Sequence, residues 1–221
     1  MADNKPLKAK FISLEGGEGA GKSTQIRLLA DWLSSQGIPS ICTREPGGSD
    51  GAELIRDLLV KGAVDRWTPI TEALLMTAAR TEHIARTIKP ALATDKWVLC
   101  DRFFDSSIAY QGAGRALGTR YIKDMQTLAF DAFKPDLTLI LDLPVKIGLA
   151  RAKSRENAKT DSEDRFERLD LSFHETLRAA YLAIASDEPE RCKVVKADQT
   201  VDSIQTTIRQ IVKQKFNLPN D

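Results

Sequence analysis

The residues best placed to do chemistry lie near the start of the chain. Gly16-Gly17-Glu18-Gly19-Ala20-Gly21-Lys22-Ser23, followed by Thr24, match the spacing G-x-x-x-x-G-K-[ST] in full. Each residue type has a reason to be there. Glycines let successive backbone N–H groups curl around a phosphate without side-chain clashes. A helix opening at Lys22 turns its positive dipole end toward the same anion. Lys22 brings a compact mobile charge to the β- and γ-phosphates, and Ser23 offers a hydroxyl to Mg²⁺. Gly16 through Thr24 are therefore expected to hold a nucleoside triphosphate. Glu18 is the odd member. A carboxylate in a loop built for anions needs another use, such as a metal-bound water or a sugar hydroxyl.

A second set of residues follows two apolar runs. Thr43-Arg44-Glu45-Pro46-Gly47-Gly48 comes after one, and Asp101-Arg102-Phe103 ends the run Trp97-Val98-Leu99-Cys100. Arginine suits bidentate binding of phosphate. Asp101 stands where a second carboxylate would reach Mg²⁺ through water, so Ser23 and Asp101 are the candidate metal residues. The phosphate loop itself carries no arginine. Charge developing on a transferred phosphoryl group must be met from elsewhere, and residues 151–168 supply Arg151, Lys153, Arg155 and Arg165 among many acids. Arg151 and Arg155 stand one helical turn apart. That charged stretch resembles the mobile lid of P-loop nucleoside monophosphate kinases, and the resemblance implies Arg155 at the transferring phosphate and Arg151 on the nucleotide side. Glu156, Asp161, Glu163 and Asp164 would keep that lid soluble when open.

The elements that must position these residues alternate. Apolar runs at 11–14, 39–43, 97–100, 137–141 and 192–195 read as strands, and helical periodicity fills 22–36, 51–61, 68–93, 106–111, 119–131, 145 onward, 166–186 and 201–216. Leu54, Leu58 and Leu59 are expected to face inward on the second helix, and Pro90 to kink the third. Such alternation implies an α/β fold, a five-stranded parallel sheet flanked by helices on both faces. Both arginine motifs then fall at the carboxyl ends of strands, where open α/β sheets bind ligands. His83 and His174 read as surface helix residues, Trp32, Trp67 and Trp97 as packing residues, and Cys42, Cys100 and Cys192 as reduced core residues.

Composition narrows the functional classes. The 221 residues carry 32 Lys plus Arg against 31 Asp plus Glu, a net charge of +1, with 42% hydrophobic residues. A nucleic-acid coat or a polybasic membrane anchor needs a positive excess that is missing here. Neither a leader peptide nor a membrane span is evident, so a single cytoplasmic domain over residues 1–221 is expected. A GTPase would need a guanine-reading N-K-x-D, and Asn4-Lys5-Pro6-Leu7 lacks the Asp and precedes the first strand. A nucleotide-dependent switch without transfer activity would need switch loops, and no motif suggests them. What remains is a kinase of small molecules whose acceptor already carries a phosphate.

The motifs also carry a resemblance. GGEGAGKST, TREPGG, Ala78-Ala79-Arg80, DRFFDSSIAYQGAGR from Asp101 to Arg115, PDLTLILDLP from Pro135 to Pro144, and DRFE from Asp164 to Glu167 stand in the order and spacing of the bacterial thymidylate kinase family. The likeness covers about residues 10–212. It implies a three-layer P-loop NTPase fold, transfer of the γ-phosphate of ATP to dTMP with Mg²⁺, and a homodimer. By position, it implies that Arg44 and Arg102 bind the acceptor phosphate, with Pro46 in the same loop. Arg80 would hydrogen-bond the thymine edge, and Ser107 and Gln111 would line the base pocket. Tyr110 would lie under the deoxyribose and Glu18 near its 3′-hydroxyl. Lys196-Ala197-Asp198 matches the loop beside adenine. Lys22, Arg102, Arg155 and Glu18 are thus the expected catalytic residues. One position departs from the family. Met76 stands four residues before Arg80, where Phe is common, which implies a weaker or more permissive base site.

Overall fold

The computed structural model describes residues 8–131, 133–156 and 165–219, with no side-chain placement for 155 and 156. Residues 157–164 of the expected lid, including Asp161, Glu163 and Asp164, lie outside the described residues.

Five strands, β1 (Phe11–Glu15), β2 (Ser40–Arg44), β3 (Trp97–Asp101), β4 (Leu137–Asp142) and β5 (Cys192–Lys196), pair in parallel in the order β2-β3-β1-β4-β5. The register sets Leu14 beside Asp101 and Arg44 beside Asp101. The phosphate loop, the TREPGG turn and the Asp101-Arg102 turn thus leave three adjacent strands at the same end.

Alternation along the strands builds two cores. Phe11, Val98, Cys100, Ile140 and Cys192 face one side of the sheet. Ile12, Leu14, Leu99, Leu139, Leu141 and Val195 face the other. On the second side lie α1 (Lys22–Ser35), through Ile26, Leu29, Trp32 and Leu33, and α9 (Val201–Phe216), through Ile204, Ile208 and Val212. The remaining helices, α2 (Asp50–Val60), α3 (Pro69–His83), α4 (Lys89–Ala93), α5 (Phe104–Ser107), α6 (Thr119–Phe130), α7 (Val145–Glu156) and α8 (Leu171–Asp187), complete the three-layer arrangement. Both faces are covered, which is why β4 is apolar almost throughout.

Helix boundaries follow local chemistry. The Thr68 hydroxyl accepts from Thr71 N with Pro69 in the first turn, which starts α3. The helix widens into a π-turn over Ile84–Ile88 just before Lys89-Pro90, so the expected break near Pro90 takes this form. A second π-turn, Ile108–Gly114, carries Tyr110 and Gln111 and absorbs the glycines expected to separate two helices. The expected helix from 166 begins instead at Leu171. Asp170 caps it there, accepting from Phe173 N at 2.8 Å.

Several expectations about burial are corrected. Leu54 is 73% exposed and Leu58 38%, whereas Leu59 is fully buried. The inward face of α2 is Ala52, Ile55, Leu59 and Val60, set by packing against α3. Cys42 is exposed because β2 is an edge strand. His83 and His174 are buried rather than on the surface. His83 turns into a polar cluster with β2, and His174 packs edge-on against Phe173. No described helix is long and apolar enough to cross a membrane.

Candidate active site

The phosphate loop is tight because its glycines permit it. A Cβ on Gly16, at φ +132°, would stand 2.5 Å from the Leu141 carbonyl oxygen, and one on Gly19 would strike the carbonyl of Gly148. Lys22 Nζ donates to the Gly16 and Gly17 carbonyl oxygens at 3.3 and 3.0 Å, which holds the loop around its own ammonium group. Burial lowers the Lys22 pKa, and the Arg102 guanidinium pushes it the same way. Ser23 Oγ donates to Asp101 Oδ2 at 2.6 Å, which brings the two candidate metal residues together.

Arg102 is the organising side chain. Its backbone sits at φ +70°, a left-handed conformation that disfavours a side-chain-bearing residue by roughly 1 kcal/mol. Hydrogen bonds on both sides hold that turn: Arg102 N donates to Leu14 O at 2.9 Å, and Phe103 N to Glu15 Oε1 at 2.7 Å. The guanidinium donates to Glu18 Oε1 at 2.7 Å, to Gly16 O at 2.9 Å and to the Tyr181 hydroxyl at 3.1 Å. Tyr110 also donates to Glu18 Oε1 at 2.7 Å. Burial raises the Glu18 pKa, but the Arg102 and Lys22 charges and the Tyr110 hydroxyl outweigh it, so the carboxyl titrates at about 2. Glu18 is therefore ionised throughout the working pH range, and serves as an acceptor and a charge rather than as a proton donor.

Arg80 is fixed from three directions. Its Nε donates to Glu45 at 2.6 Å, Nη1 to Ser107 Oγ at 2.9 Å and Nη2 to Phe103 O at 3.1 Å. Glu45 also pairs with His83 Nδ1 at 3.0 Å, and His83 Nε2 meets Thr43 Oγ1 at 2.7 Å. Arg44, with its side chain half exposed, pairs with Glu53 at 2.9 Å. Pairs this exposed hold for about 0–1 kcal/mol, so the guanidinium is readily recruited by an anion.

These groups converge on one cavity of about 550 Å³. Glu18 through Ser23, Arg44, Pro46, Met76, Arg80, Asp101, Arg102, Ser107, Tyr110 and Gln111 all line it. Gly16, Gly17 and Thr24 belong to the same loop and helix start without lining it. Lys196, the last residue of β5, and Ala197 and Asp198 after it do not line the cavity. Arg151 reaches them, its Nη1 lying 3.4 Å from Ala197 O, so it stands beside the expected adenine loop. Arg155 falls in the last turn of α7, with its side chain outside the description.

Arg165 is not a lid residue of the expected kind. It is fully buried, pairs with Glu72 at 2.7 Å, and donates to Leu59 O, Ala63 O and Val64 O. A guanidinium so enclosed cannot swing onto a phosphate. It anchors the chain leaving the charged segment.

Sequence reasoning missed the carboxylates beneath the site. Glu15, Glu45 and Glu72 are buried, and they hold Ser106, Arg80 and Gln111, each of which lines the cavity. Phe166, Arg56 and Glu167 also line the cavity, and Phe166 packs edge-on to Tyr110 at 5.5 Å between ring centres. The available signal was an acid at the end of an apolar strand for Glu15, and an acid just before the apolar run Ala73-Leu74-Leu75-Met76 for Glu72.

Glu15 carries a pH signature. Burial raises its pKa, the Asp105 carboxylate adds to this, and Ser106, Arg102 and Phe103 only partly compensate, giving about 7 against an ordinary 4.5. A raised carboxyl contributes stability that is complete below its unfolded pKa and is lost as pH rises through the folded one. Glu15→Gln is therefore expected to gain in Tm relative to the native protein as pH goes from about 5 to about 8. A Tm difference that does not change with pH contradicts this.

Met76 lines the cavity and packs with Leu59, Val60 and Phe166. Replacing its thioether by a ring should add stacking worth about 1 kcal/mol, so Met76→Phe is expected to lower KM for the acceptor by about fivefold. An unchanged or higher KM in steady-state kinetics argues against it.

A family model for thymidylate kinase matches residues 14–208. The thymidylate kinase of Caulobacter vibrioides is 55% identical over 208 residues, covering 94% of this chain and 98% of its own. That of Afipia carboxidovorans is 47% identical over 212 residues, covering 96% and 92%. The crystal structure of the Ehrlichia chaffeensis thymidylate kinase superposes with a TM-score of 0.72 at 32% identity, covering 92% of this chain and 98% of that one. The family model spans most of the chain and the relatives are similar over nearly its whole length, so the chain belongs to the thymidylate kinase family.

Proposed function

We propose that this kinase transfers the γ-phosphoryl group of ATP to dTMP through the cavity between the phosphate loop and α3, with the division of labour that follows. The observation that carries the reading is Arg102, held in a strained turn with its guanidinium between the phosphate loop and Tyr110. There it faces both the donor loop and the acceptor pocket. Gly16 through Thr24 wrap the donor phosphates, and Lys22 exchanges its loop carbonyls for β- and γ-phosphate oxygens. Arg44 and Arg102 take the acceptor phosphate. Arg80, Ser107, Gln111 and Met76 surround the base, Tyr110 underlies the sugar, and Glu18 accepts from its 3′-hydroxyl.

Ser23 and Asp101 would hold Mg²⁺, Asp101 through water. Their hard oxygen donors, 2.6 Å apart, suit an ion that keeps most of its ligands as water and phosphate. Held there, the ion would supply positive charge that offsets the negative charge of the donor phosphates. An acceptor phosphate oxygen attacks the γ-phosphorus, the bond to the β–γ bridging oxygen breaks, and ADP leaves with that oxygen. The acceptor is already mostly ionised at pH 7, its second pKa being about 6, so no general base is required. Charge neutralisation is the principal task. Two unit charges 4 Å apart interact by about 1 kcal/mol in water and about 4 at an effective dielectric of 20.

Residues 151–168 form the lid segment of a single domain, anchored at its far end by the buried Arg165, with Arg155 at the transferring phosphate and Arg151 toward Lys196-Ala197-Asp198. Arg155→Ala is expected to lower kcat by about 10²-fold or more with a small change in KM for ATP, by analogy with other catalytic arginines. Near-native turnover in single-turnover assays removes Arg155 from the chemistry. The protein works in the cytoplasm as a homodimer, and Leu54 of α2 and Leu74 of α3 are exposed apolar side chains available for association.

A screen of nucleoside monophosphates by coupled ADP release, with Mg²⁺ present and withheld, tests the reading. Turnover is expected with dTMP and Mg²⁺, with loss on chelation. A preference for a purine monophosphate or for unphosphorylated thymidine contradicts it.

A further inference from the structure

Glu72 sits in the first turn of α3 with its carboxylate fully enclosed. Arg165 lies 2.7 Å from it and Arg115 3.2 Å. Its other oxygen, Oε1, accepts from Gln111 Nε2 at 3.0 Å. A carboxylate between two guanidinium groups offers acceptors only. The Gln111 amide must then turn its NH₂ toward Glu72, and the carbonyl corner of the same planar group is left for the cavity that Gln111 lines.

That orientation bears on base choice. At position 3 thymine carries an N–H donor, and cytosine a bare acceptor nitrogen. At position 4 thymine has a carbonyl oxygen, and cytosine an amino group. Arg80, a donor only, reads position 4. A glutamine amide could serve either base, depending on which end faces the ring. Presented as a carbonyl, it matches thymine and leaves cytosine with two acceptors opposed.

We propose that Glu72 is a specificity-determining positioning residue, which selects thymine over cytosine by fixing the amide of Gln111 with its acceptor toward the base. It does so without touching the substrate. The proposal rests on the base lying against Arg80 and Gln111, as set out under Proposed function.

The test compares kcat/KM for dTMP and dCMP in the native enzyme, Glu72→Gln, Glu72→Asp and Gln111→Leu. In Glu72→Gln the new amide keeps its oxygen on the guanidinium groups and offers NH₂ to Gln111. Gln111 can then reverse and present its own NH₂ to the base. The dTMP-to-dCMP ratio is expected to fall by about 10-fold or more, with KM for ATP unchanged. The ratio should fall without inverting, because Arg80 still opposes the cytosine amino group. Glu72→Asp keeps the charge but retreats by one methylene, so a smaller fall in the same direction is expected. It decides the matter if Glu72→Gln does not fold. A purely structural role would lower both substrates alike. An unchanged ratio in a folded Glu72 variant, while Gln111→Leu raises KM for dTMP, overturns the inference alone. If Gln111→Leu leaves KM for dTMP unchanged, the base placement fails and the inference fails with it.

Discussion

Arg102→Met is expected to lower kcat/KM for dTMP by about 10³-fold while KM for ATP changes little. The native guanidinium is enclosed by Glu18, the Gly16 carbonyl and Tyr181, and lies 5.1 Å over the Tyr110 ring. These partners fix its rotamer against the cavity. In the proposed reading, losing the guanidinium removes the bidentate grip on the acceptor phosphate. It also leaves the Glu18 carboxylate, normally held at about 2, facing the incoming anion with its chief partner gone. Both changes act against the acceptor. The donor loop keeps its glycines and Lys22. Arg102→Lys restores the charge without the fork, so it should recover only part of the loss. If the two variants are equally active, geometry at this position does not matter. If KM for ATP rises as much as KM for dTMP, Arg102 belongs to the donor side instead.

Lys22→Met should have an effect at least as large, on kcat, by about 10³-fold or more. The mechanism relies on neutralisation at the γ-phosphate, and Lys22 is the one cation carried on the phosphate loop itself. It sits within reach of the Gly16 and Gly17 carbonyls, and burial already disfavours its charge, so it gains most from an anion in the loop. Methionine preserves length and much of the packing while removing the charge. Rapid-quench measurement of the transfer step isolates the effect from product release. Retention of more than about a tenth of the native rate would mean that the lid and the metal carry the neutralisation without it.

Much of this was legible because the chemistry is contiguous in sequence. The phosphate loop needs eight neighbouring residues, and TREPGG and the Asp101-Arg102 turn are each announced by the apolar strand before them. The strands emerged as clear apolar runs because each inner one is covered on both faces. The failures share a cause in tertiary contacts. Glu15 meets Ser106, Glu45 meets His83, and Glu72 meets Arg165, all across long stretches of chain. No local spacing announces that an acid will be paired with so remote a partner. Arg165 was misread for this reason: a charged neighbourhood reads as solvated until its burial against α2 and α3 is seen. Leu54 and Leu58 misled because a short amphipathic helix leaves two faces plausible, and only α3 chooses between them. His83 was read as surface because nothing in a helical pattern discloses the TREPGG turn folded onto it.

In the proposed reading, one cavity aligns ATP with an already phosphorylated acceptor and passes the phosphoryl group directly between them. A ³¹P NMR spectrum of ATP, dTMP and Mg²⁺ incubated with the enzyme tests it most directly. The resonances of ADP and dTDP are expected to rise together in equal amounts, with no inorganic phosphate. Release of inorganic phosphate without dTDP, or formation of AMP with a pyrophosphorylated acceptor, would contradict it.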